Sequence, residues 1–254
     1  MQLNEAKVII TGAASGMGRH FAVRMAQEGA SVAAADLNEE ALASLKEELA
    51  DAPGKVETFK CNVANEDDVI AMVNGAWDAF GGINGLVNNA GIFRDGLLVK
   101  KDRDTGAIKT MSLKNWQMVL DVDLTGPFLC TRELAAKAVE AGTEAVIVNI
   151  SSISRHGNMG QGNYSAAKAG LVADTALWAK ELARYKIRVG AIAPGFVDTP
   201  ILQGMRPDAL QKMLSGVPMR RTGSCEEIFQ GVRFIFECGY FTGRCLDIDG
   251  GLTL

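Results

Sequence analysis

Short apolar runs alternate with longer amphipathic stretches along the whole chain. The apolar runs have the length of strands, and helical periodicity dominates between them. Unbroken apolar strands separated by helices are typical of a parallel sheet that helices cover on both faces. The pattern predicts a single α/β domain over residues 1–254, with a doubly wound parallel sheet of about seven strands. The predicted strands are 7–11, 31–36, 56–61, 85–88, 145–150, 187–192 and 245–248, and the predicted helices are 17–29, 39–50, 66–80, 112–141, 161–185 and 225–238.

A glycine-rich turn, TGAASGMG, joins the first predicted strand to the first helix. Glycines allow backbone N–H groups to approach a pyrophosphate closely, and the helix N-terminus adds a favourable dipole. The spacing is Gly-x-x-x-Gly-x-Gly, which differs from the commoner Gly-x-Gly-x-x-Gly, and a tight turn without a ligand is the alternative. We predict a dinucleotide site that includes Gly12, Ser15, Gly16, Met17 and Gly18.

Asp36 stands at the end of the second predicted strand. A carboxylate at this place accepts hydrogen bonds from the adenosine ribose hydroxyls and repels a 2′-phosphate. Leu37 and Asn38 follow it, and Ser15 holds a turn position where a basic residue would favour that phosphate. The sequence therefore predicts NAD(H) rather than NADP(H). The alternative is that Asp36 only caps the next helix, a role that Asn38 can fill.

Tyr164 and Lys168 are four residues apart on a predicted helix, so their side chains share one face. An ammonium beside a phenol is expected to help it release its proton more easily than free tyrosine, whose pKa is about 10. A tyrosine that exchanges a proton, in a chain with a dinucleotide site, indicates hydride transfer between an alcohol and a carbonyl.

Composition narrows the possible functions further. The net charge is −4, which favours neither nucleic acid nor an anionic membrane. No apolar run approaches the about 20 residues of a membrane helix, and the polar first residues do not resemble a signal peptide, so we expect a cytoplasmic protein. The five cysteines include no C-x-x-C pair, and His20 and His156 lack partners at ligand spacing. We expect reduced thiols and no metal site.

These motifs together resemble the short-chain dehydrogenase/reductase family. The glycine turn, the run Asn88-Asn89-Ala90-Gly91, a serine pair, Tyr164-x-x-x-Lys168, Pro194-Gly195 and Asp249-Gly250-Gly251 follow one another in the family's order over the full chain. The resemblance implies a Rossmann fold, a homotetramer, Tyr164 as the general acid–base, and Lys168 as the residue that lowers the tyrosine pKa and binds the nicotinamide ribose. It also implies cofactor contacts by Asn62, Val63, Asn89, Ala90, Gly91, Pro194, Gly195, Val197 and Thr199.

The catalytic serine could be either Ser151 or Ser152. The register of the preceding strand places Ser152 at the family's catalytic position, whereas the commonest spacing to Tyr164 gives Ser151. We favour Ser152, because strand register fixes the direction of a side chain while loops absorb deletions.

Asp123 is a departure from the family pattern, which usually has an asparagine here that holds a water in the proton relay. A carboxylate cannot donate a hydrogen bond unless it is protonated, and near Lys168 it could pair with the ammonium and change the pH profile. Asn62 is a smaller departure, since aspartate is usual there and the amide can still contact the adenine.

Two further segments are candidates for contacts with the substrate or with another subunit. The charged segment 100–110 is predicted to be a solvated hairpin or loop, with a role at the mouth of the active site or in a subunit contact as the alternative. The stretch 196–222, which carries Leu202 and Met205, is predicted to be a lid over the substrate, with a helical hairpin packed on the core as the alternative.

The main functional hypothesis is an NAD(H)-dependent enzyme that interconverts a small secondary alcohol and a ketone. The alternative is a 3-oxoacyl thioester reductase, because Gly91–Leu98 resembles those enzymes. Asp36 weakens that alternative, since the biosynthetic reductases usually employ NADPH. A dinucleotide sensor without turnover is the remote third hypothesis.

Overall fold

Nine strands are found in the computed structural model, which describes residues 1–199, 211 and 213–253. Seven of them form one sheet in which every neighbouring pair is parallel, in the order β3-β2-β1-β4-β7-β8-β9. This arrangement confirms the predicted doubly wound sheet. The strands are β1 (Lys7–Thr11), β2 (Ser31–Asp36), β3 (Val56–Lys60), β4 (Gly85–Asn88), β5 (Val99–Lys101), β6 (Ile108–Thr110), β7 (Ala145–Ile150), β8 (Ile187–Pro194) and β9 (Cys245–Ile248).

Helices connect the parallel strands, and several of these helices have a side-chain cap at their N-terminus. Asn38, Asn65, Ser112 and Ser224 each accept a hydrogen bond from a backbone N–H in the first turn of the helix that follows. In the described part of the chain the α-helices are α1 (Gly16–Gln27), α2 (Glu39–Glu48), α3 (Glu66–Phe80), α4 (Leu113–Leu120), α5 (Gly126–Ala141), α6 (Gly162–Leu182) and α7 (Cys225–Glu237).

The helix expected over 112–141 is not regular throughout. A π-helical turn, Asp121–Thr125, separates α4 from α5. Such turns insert an extra residue into a helix and are frequent at functional sites. The predicted long helix and its N-cap, Ser112, are confirmed, and the π-helical turn in its middle is a feature that the sequence did not indicate.

Both faces of the sheet are buried. Val8 and Ile10 of β1 pack into one apolar cluster together with Phe229 of α7, whereas Ile9 between them packs into a second cluster together with Leu134 of α5. Neighbouring side chains of a strand point to opposite faces, so a strand covered on both sides must be apolar at successive positions. This is why the strands read as unbroken apolar runs.

The order of the strands reverses between β1 and β4, and this reversal opens a crevice at their carboxyl ends. Ligands of open α/β sheets bind in such a crevice. Thr11, Asp36, Asn88, Ile150 and Pro194 are the last residues of their strands and therefore lie at this edge.

The charged segment folds as a hairpin, in which β5 pairs antiparallel with β6. Every residue of these two strands is exposed in the single chain, which confirms the hairpin, while the alternative role at the active-site mouth or in a subunit contact stays a prediction. The predicted lid, 196–222, lies partly outside the described residues, and so do Leu202 and Met205, so the lid stays a prediction. Among the described residues, no helix is both long and apolar enough to cross a membrane.

Candidate active site

A cavity of about 680 Å³ lies at the carboxyl ends of the strands. It brings together residues from six different connections of the fold, and nearly all of the predicted site residues line it. Gly18 and Asp123 do not line it and lie behind its wall. The predicted residues in the lining are Gly12, Ser15, Gly16, Met17, Asp36, Asn62, Val63, Asn89, Ala90, Gly91, Ser152, Tyr164, Lys168, Pro194, Gly195, Val197 and Thr199.

The glycine turn needs its glycines for two different reasons. Gly16 has a φ of 55°, in the left-handed region that glycine adopts without strain. A Cβ on Gly18 would lie 2.1 Å from the carbonyl oxygen of Gly12, so no side chain fits there. Ser15 occupies the N-cap of α1, but its side chain makes no capping hydrogen bond. The first N–H groups of α1 have no intrahelical acceptor and lie beside the cavity, an arrangement that fits a pyrophosphate.

The carboxylate of Asp36 is fixed by two backbone groups. Its Oδ2 accepts from the N–H of Ala14 at 3.0 Å, and its Oδ1 accepts from the N–H of Asn38 at 3.0 Å. Asn38 caps α2 by accepting from the N–H of Ala41 at 3.0 Å. Asp36 is therefore not the cap of α2, and it presents a negative charge at the edge of the cavity, as a ribose-binding carboxylate requires.

Thr11 and Asn89 hold the glycine turn against the end of β4. The Thr11 hydroxyl accepts from the N–H groups of Asn89 and Ala90, both at 3.1 Å. The Asn89 amide donates to the carbonyl of Thr11 at 3.0 Å and to that of Gly12 at 3.3 Å. The Oδ1 of Asn89 is buried and has no protein partner within the described ranges, which leaves an acceptor for a bound group. These contacts fit a nicotinamide dinucleotide.

The side-chain oxygen of Asn62 is used in a hydrogen bond within the local turn. Its Oδ1 accepts from the N–H of Ala64 at 3.1 Å, and its backbone N–H donates to the carboxylate of Asp68 at 3.0 Å. The amide NH₂ of Asn62 remains as the group that could donate to an adenine.

The residues predicted to transfer the proton, Ser152, Tyr164 and Lys168, line the same cavity. The Lys168 ammonium donates to the carbonyl of Ile150 at 3.0 Å and lies 5.5 Å from the centre of the Tyr164 ring. The Ser152 hydroxyl lies beside the Tyr164 phenol and acts to lower its pKa. The buried Ser151 hydroxyl instead donates to the backbone carbonyl of Lys168 at 2.9 Å. Of the two serines, Ser152 therefore has its hydroxyl beside the phenol, and Ser151 fastens α6 to the end of β7.

Asp123 is fully buried behind Lys168, at the π-helical turn. Its Oδ1 accepts from the N–H of Ile92 at 2.9 Å, and its Oδ2 lies 3.2 Å from the Lys168 ammonium. Burial raises the pKa of this carboxyl, while Lys168 and the N–H of Ile92 act in the opposite direction. A Cβ on Gly91 would lie 2.7 Å from Oδ2, so Gly91 leaves the space that the carboxylate occupies.

The pKa of Tyr164 departs from expectation. Burial is the largest influence and raises it; Lys168 lowers it, as predicted, but Asp123 raises it again, and the net direction is upward. The expectation that the phenol releases its proton more easily than free tyrosine was therefore wrong for this site. Burial also opposes the charge of Lys168, but Asp123 and Tyr164 outweigh it and raise the pKa of the lysine.

Several residues of the cavity were not predicted from the sequence. The Phe93 ring packs 4.6 Å from the Tyr164 ring, centre to centre. Gln161 donates to Asp95 at 3.1 Å and accepts from the Asn158 amide at 2.9 Å. The available signal was position, because Phe93 and Asp95 lie within four residues after Gly91, and Asn158 and Gln161 lie within four residues before the helix that carries Tyr164.

The full length of the chain resembles known proteins. A family model described as enoyl-(acyl carrier protein) reductase matches residues 12–253. The chain belongs to the short-chain dehydrogenase/reductase family. It is thus an oxidoreductase of this family, and its cofactor is a nicotinamide dinucleotide.

Individual members of the short-chain dehydrogenase/reductase family align with the chain from end to end. A 3-oxoacyl-(acyl-carrier-protein) reductase of Thermotoga maritima is 40% identical over 257 residues, which cover 100% of both chains. A protein of the same name from Synechocystis is 36% identical over 252 residues, or 97% of this chain and 96% of the relative. A (3R)-3-hydroxyacyl-CoA dehydrogenase of Canis lupus familiaris is 35% identical over 265 residues, or 100% of this chain and 98% of the relative.

Proposed function

We propose that this protein reduces 3-oxoacyl thioesters to 3-hydroxyacyl thioesters, with NADH as the hydride donor. The observation that carries the proposal is end-to-end similarity to relatives named for 3-oxoacyl or 3-hydroxyacyl thioesters. The main hypothesis from the sequence, a small secondary alcohol and its ketone, has less support, because none of these three relatives is named for such a substrate. The thioester alternative therefore replaces it.

The proposed roles of the residues follow from their positions. Tyr164 donates its phenolic proton to the oxygen of the 3-oxo group, and Ser152 holds that oxygen by a hydrogen bond. Lys168 binds the nicotinamide ribose and stabilises the phenolate that remains. The bound dinucleotide supplies the hydride for the carbonyl carbon. A proton and a hydride added across the C=O bond give the alcohol.

The proposed preference for NADH is supported by Asp36, whose carboxylate the backbone fixes at the cavity edge. Lys168 is the only basic residue among the described lining residues, and it lies beside Tyr164. A 2′-phosphate near Asp36 would therefore meet its negative charge, with no cation beside it among the described lining residues.

The test follows the absorbance of the reduced dinucleotide with acetoacetyl-CoA, acetoacetyl-N-acetylcysteamine and a simple aryl ketone, each with NADH and with NADPH. Faster turnover of the thioesters with NADH supports the proposal. Faster turnover of the ketone would restore the secondary-alcohol hypothesis. Tyr164→Phe is the control and should lose turnover while still binding NADH. Binding of NADH without turnover of any carbonyl by the wild type would favour the sensor hypothesis.

A pair of variants tests cofactor choice separately. Asp36→Asn removes the negative charge at constant size, and we expect the ratio of kcat/KM for NADPH to that for NADH to rise roughly tenfold, which corresponds to about 1.4 kcal/mol. Glu40→Gln is the matched control, because Glu40 is an exposed carboxylate in the first turn of α2 and its loss leaves Lys60 paired with Glu39 at 2.7 Å. An unchanged ratio in Asp36→Asn would contradict the proposed role.

We also propose a homotetramer in which α4, α5 and α6 pair across subunits. Support comes from large apolar side chains that remain exposed on all three helices in the single chain: Leu113 on α4, Phe128 and Val139 on α5, and Leu177 on α6. Sedimentation velocity would measure the oligomeric state. The cytoplasmic location stays a prediction.

A further inference from the structure

The buried carboxylate of Asp123 gives this site a charge balance that an asparagine there would not give. Asp123 has no exposed surface, and its Oδ2 lies 3.2 Å from the Lys168 ammonium. Gly91 leaves room for the carboxylate, and the N–H of Ile92 fixes its other oxygen at 2.9 Å. The site therefore contains a phenol, an ammonium and a carboxylate in a row, all of them largely buried.

We propose that Asp123 is a positioning residue that neutralises the Lys168 ammonium and thereby keeps Tyr164 in its protonated form, so that the site is poised to donate a proton to a carbonyl. The inference rests on the proposed carbonyl reduction and deepens it. A Tyr164 that is protonated before substrate binds is ready for carbonyl reduction and not for alcohol oxidation.

The physical reason is the sum of charges that the phenol faces. Lys168 lies one turn further along α6, Asp123 comes from the π-helical turn, and Asp95 comes from the segment after β4. Ser152 and Phe93 also contact the phenol but carry no charge. With Asp123 ionised, the ammonium is already paired, so it stabilises a phenolate less than an unpaired ammonium would. Burial then disfavours the phenolate further.

The consequence concerns both directions of the reaction. In reduction, the Tyr164 O–H bond breaks as the alcohol O–H bond forms, and solvent later returns a proton to the phenolate. In oxidation, the phenolate must first exist, so that it can take the hydroxyl proton while the hydride leaves to the oxidised dinucleotide. Asp123 leaves the overall equilibrium unchanged, but it moves alcohol oxidation to a more alkaline pH range than reduction.

The first test needs no substrate. The chain has three tyrosines, so the difference in tyrosinate absorbance between wild type and Tyr164→Phe isolates the titration of Tyr164. In the wild type we expect a midpoint above the ordinary value of about 10, and in the Asp123→Asn background a midpoint lower by about one unit. Asp121→Asn is the matched control on the same turn, since that carboxylate accepts from Gln117 and is not buried. It should leave the midpoint unchanged.

The second test is the pH profile of kcat/KM in both directions. Asp123→Asn should move the rising limb of alcohol oxidation about one pH unit towards acid, a roughly tenfold gain below both midpoints. A wild-type Tyr164 midpoint at or below the ordinary value would overturn the inference. So would an unchanged midpoint in Asp123→Asn, or an equal shift in Asp121→Asn. If Asp123→Asn does not fold, Asp123→Ser takes its place, because serine also removes the charge and is smaller than the buried carboxylate. A high Tyr164 midpoint without turnover of any carbonyl would refute the proposed function but not the charge arrangement.

Discussion

The substitution Gly18→Ala should destabilise the protein severely, although it adds only one methyl group. The new Cβ would lie 2.1 Å from the Gly12 carbonyl oxygen and 2.5 Å from the Asn89 Nδ2. Both atoms would have to move by about 1 Å to reach an ordinary contact distance. Their movement breaks the two hydrogen bonds by which Asn89 holds the turn.

The cost can be summed from these contacts. Overpacking typically costs about 1–3 kcal/mol, and each lost hydrogen bond costs about 1 kcal/mol. The total is about 3–5 kcal/mol, against about 5–15 kcal/mol for the stability of a typical domain. For a chain of this size we expect the melting temperature to fall by roughly 6–20 °C. NADH binding should fall as well, because the displaced carbonyl and amide border the cavity.

Gly16→Ala is the matched comparison. Its Cβ would meet only the Thr199 methyl at 3.9 Å, but the residue has a φ of 55°. The cost is then only the left-handed backbone strain, about 1–2 kcal/mol. Differential scanning calorimetry and NADH fluorescence would measure stability and binding. A Gly18→Ala protein that melts no lower than Gly16→Ala would refute the steric argument.

Two further predictions concern serines. Ser152→Ala should lower kcat by roughly 10²-fold or more, because the substrate oxygen loses a hydrogen bond in the transition state. Ser151→Ala should keep kcat and lose about 1 kcal/mol of stability, because only its hydrogen bond to the Lys168 carbonyl is removed. Steady-state kinetics and thermal melts separate the two variants, and an equal loss of kcat in both would contradict the assignment. Arg221 and the N–H of Ser224 hold the pKa of Glu227 at about 2, so its capping contributes stability above the ordinary value of 4.5 that is lost as the pH falls through about 2. Glu227→Gln keeps an acceptor for the Ser224 N–H and loses only the exposed, solvent-screened charge pair with Arg221, so it should cost less than about 1 kcal/mol at pH 7 and nothing near pH 1, as followed by denaturant melts.

The architecture was predictable because its signals are local. A strand buried on both faces must be apolar throughout, and the glycines of the first turn are required by backbone geometry within a few residues. The predicted ends of the elements were wrong where a residue distant in the sequence determines how far a strand continues. β8 continues to Pro194 because that residue pairs with Ile248 of β9, and no feature of the sequence near 192 announces it.

The site was predictable as a set of residues but not in its electrostatics. The four-residue spacing placed Tyr164 and Lys168 on one face, yet the pKa of the phenol depends on burial and on a carboxylate from a different element. The π-helical turn that carries Asp123 leaves no mark in the hydrophobic pattern of 112–141. Its reason is tertiary, since the carboxylate there contacts both Ile92 and Lys168.

The β5–β6 hairpin gives this scaffold a place where evolution can add or remove sequence at low cost. Val99 and Thr110 are paired, so the chain leaves and returns at one point, and every residue of both strands is exposed. A segment anchored in this way can change length without disturbing the sheet. Gly96, just before the hairpin, bonds to Gly160 beside the tyrosine helix. New sequence acquired there would thus arise next to the catalytic cavity, where a lineage can diversify its substrates while its core stays fixed.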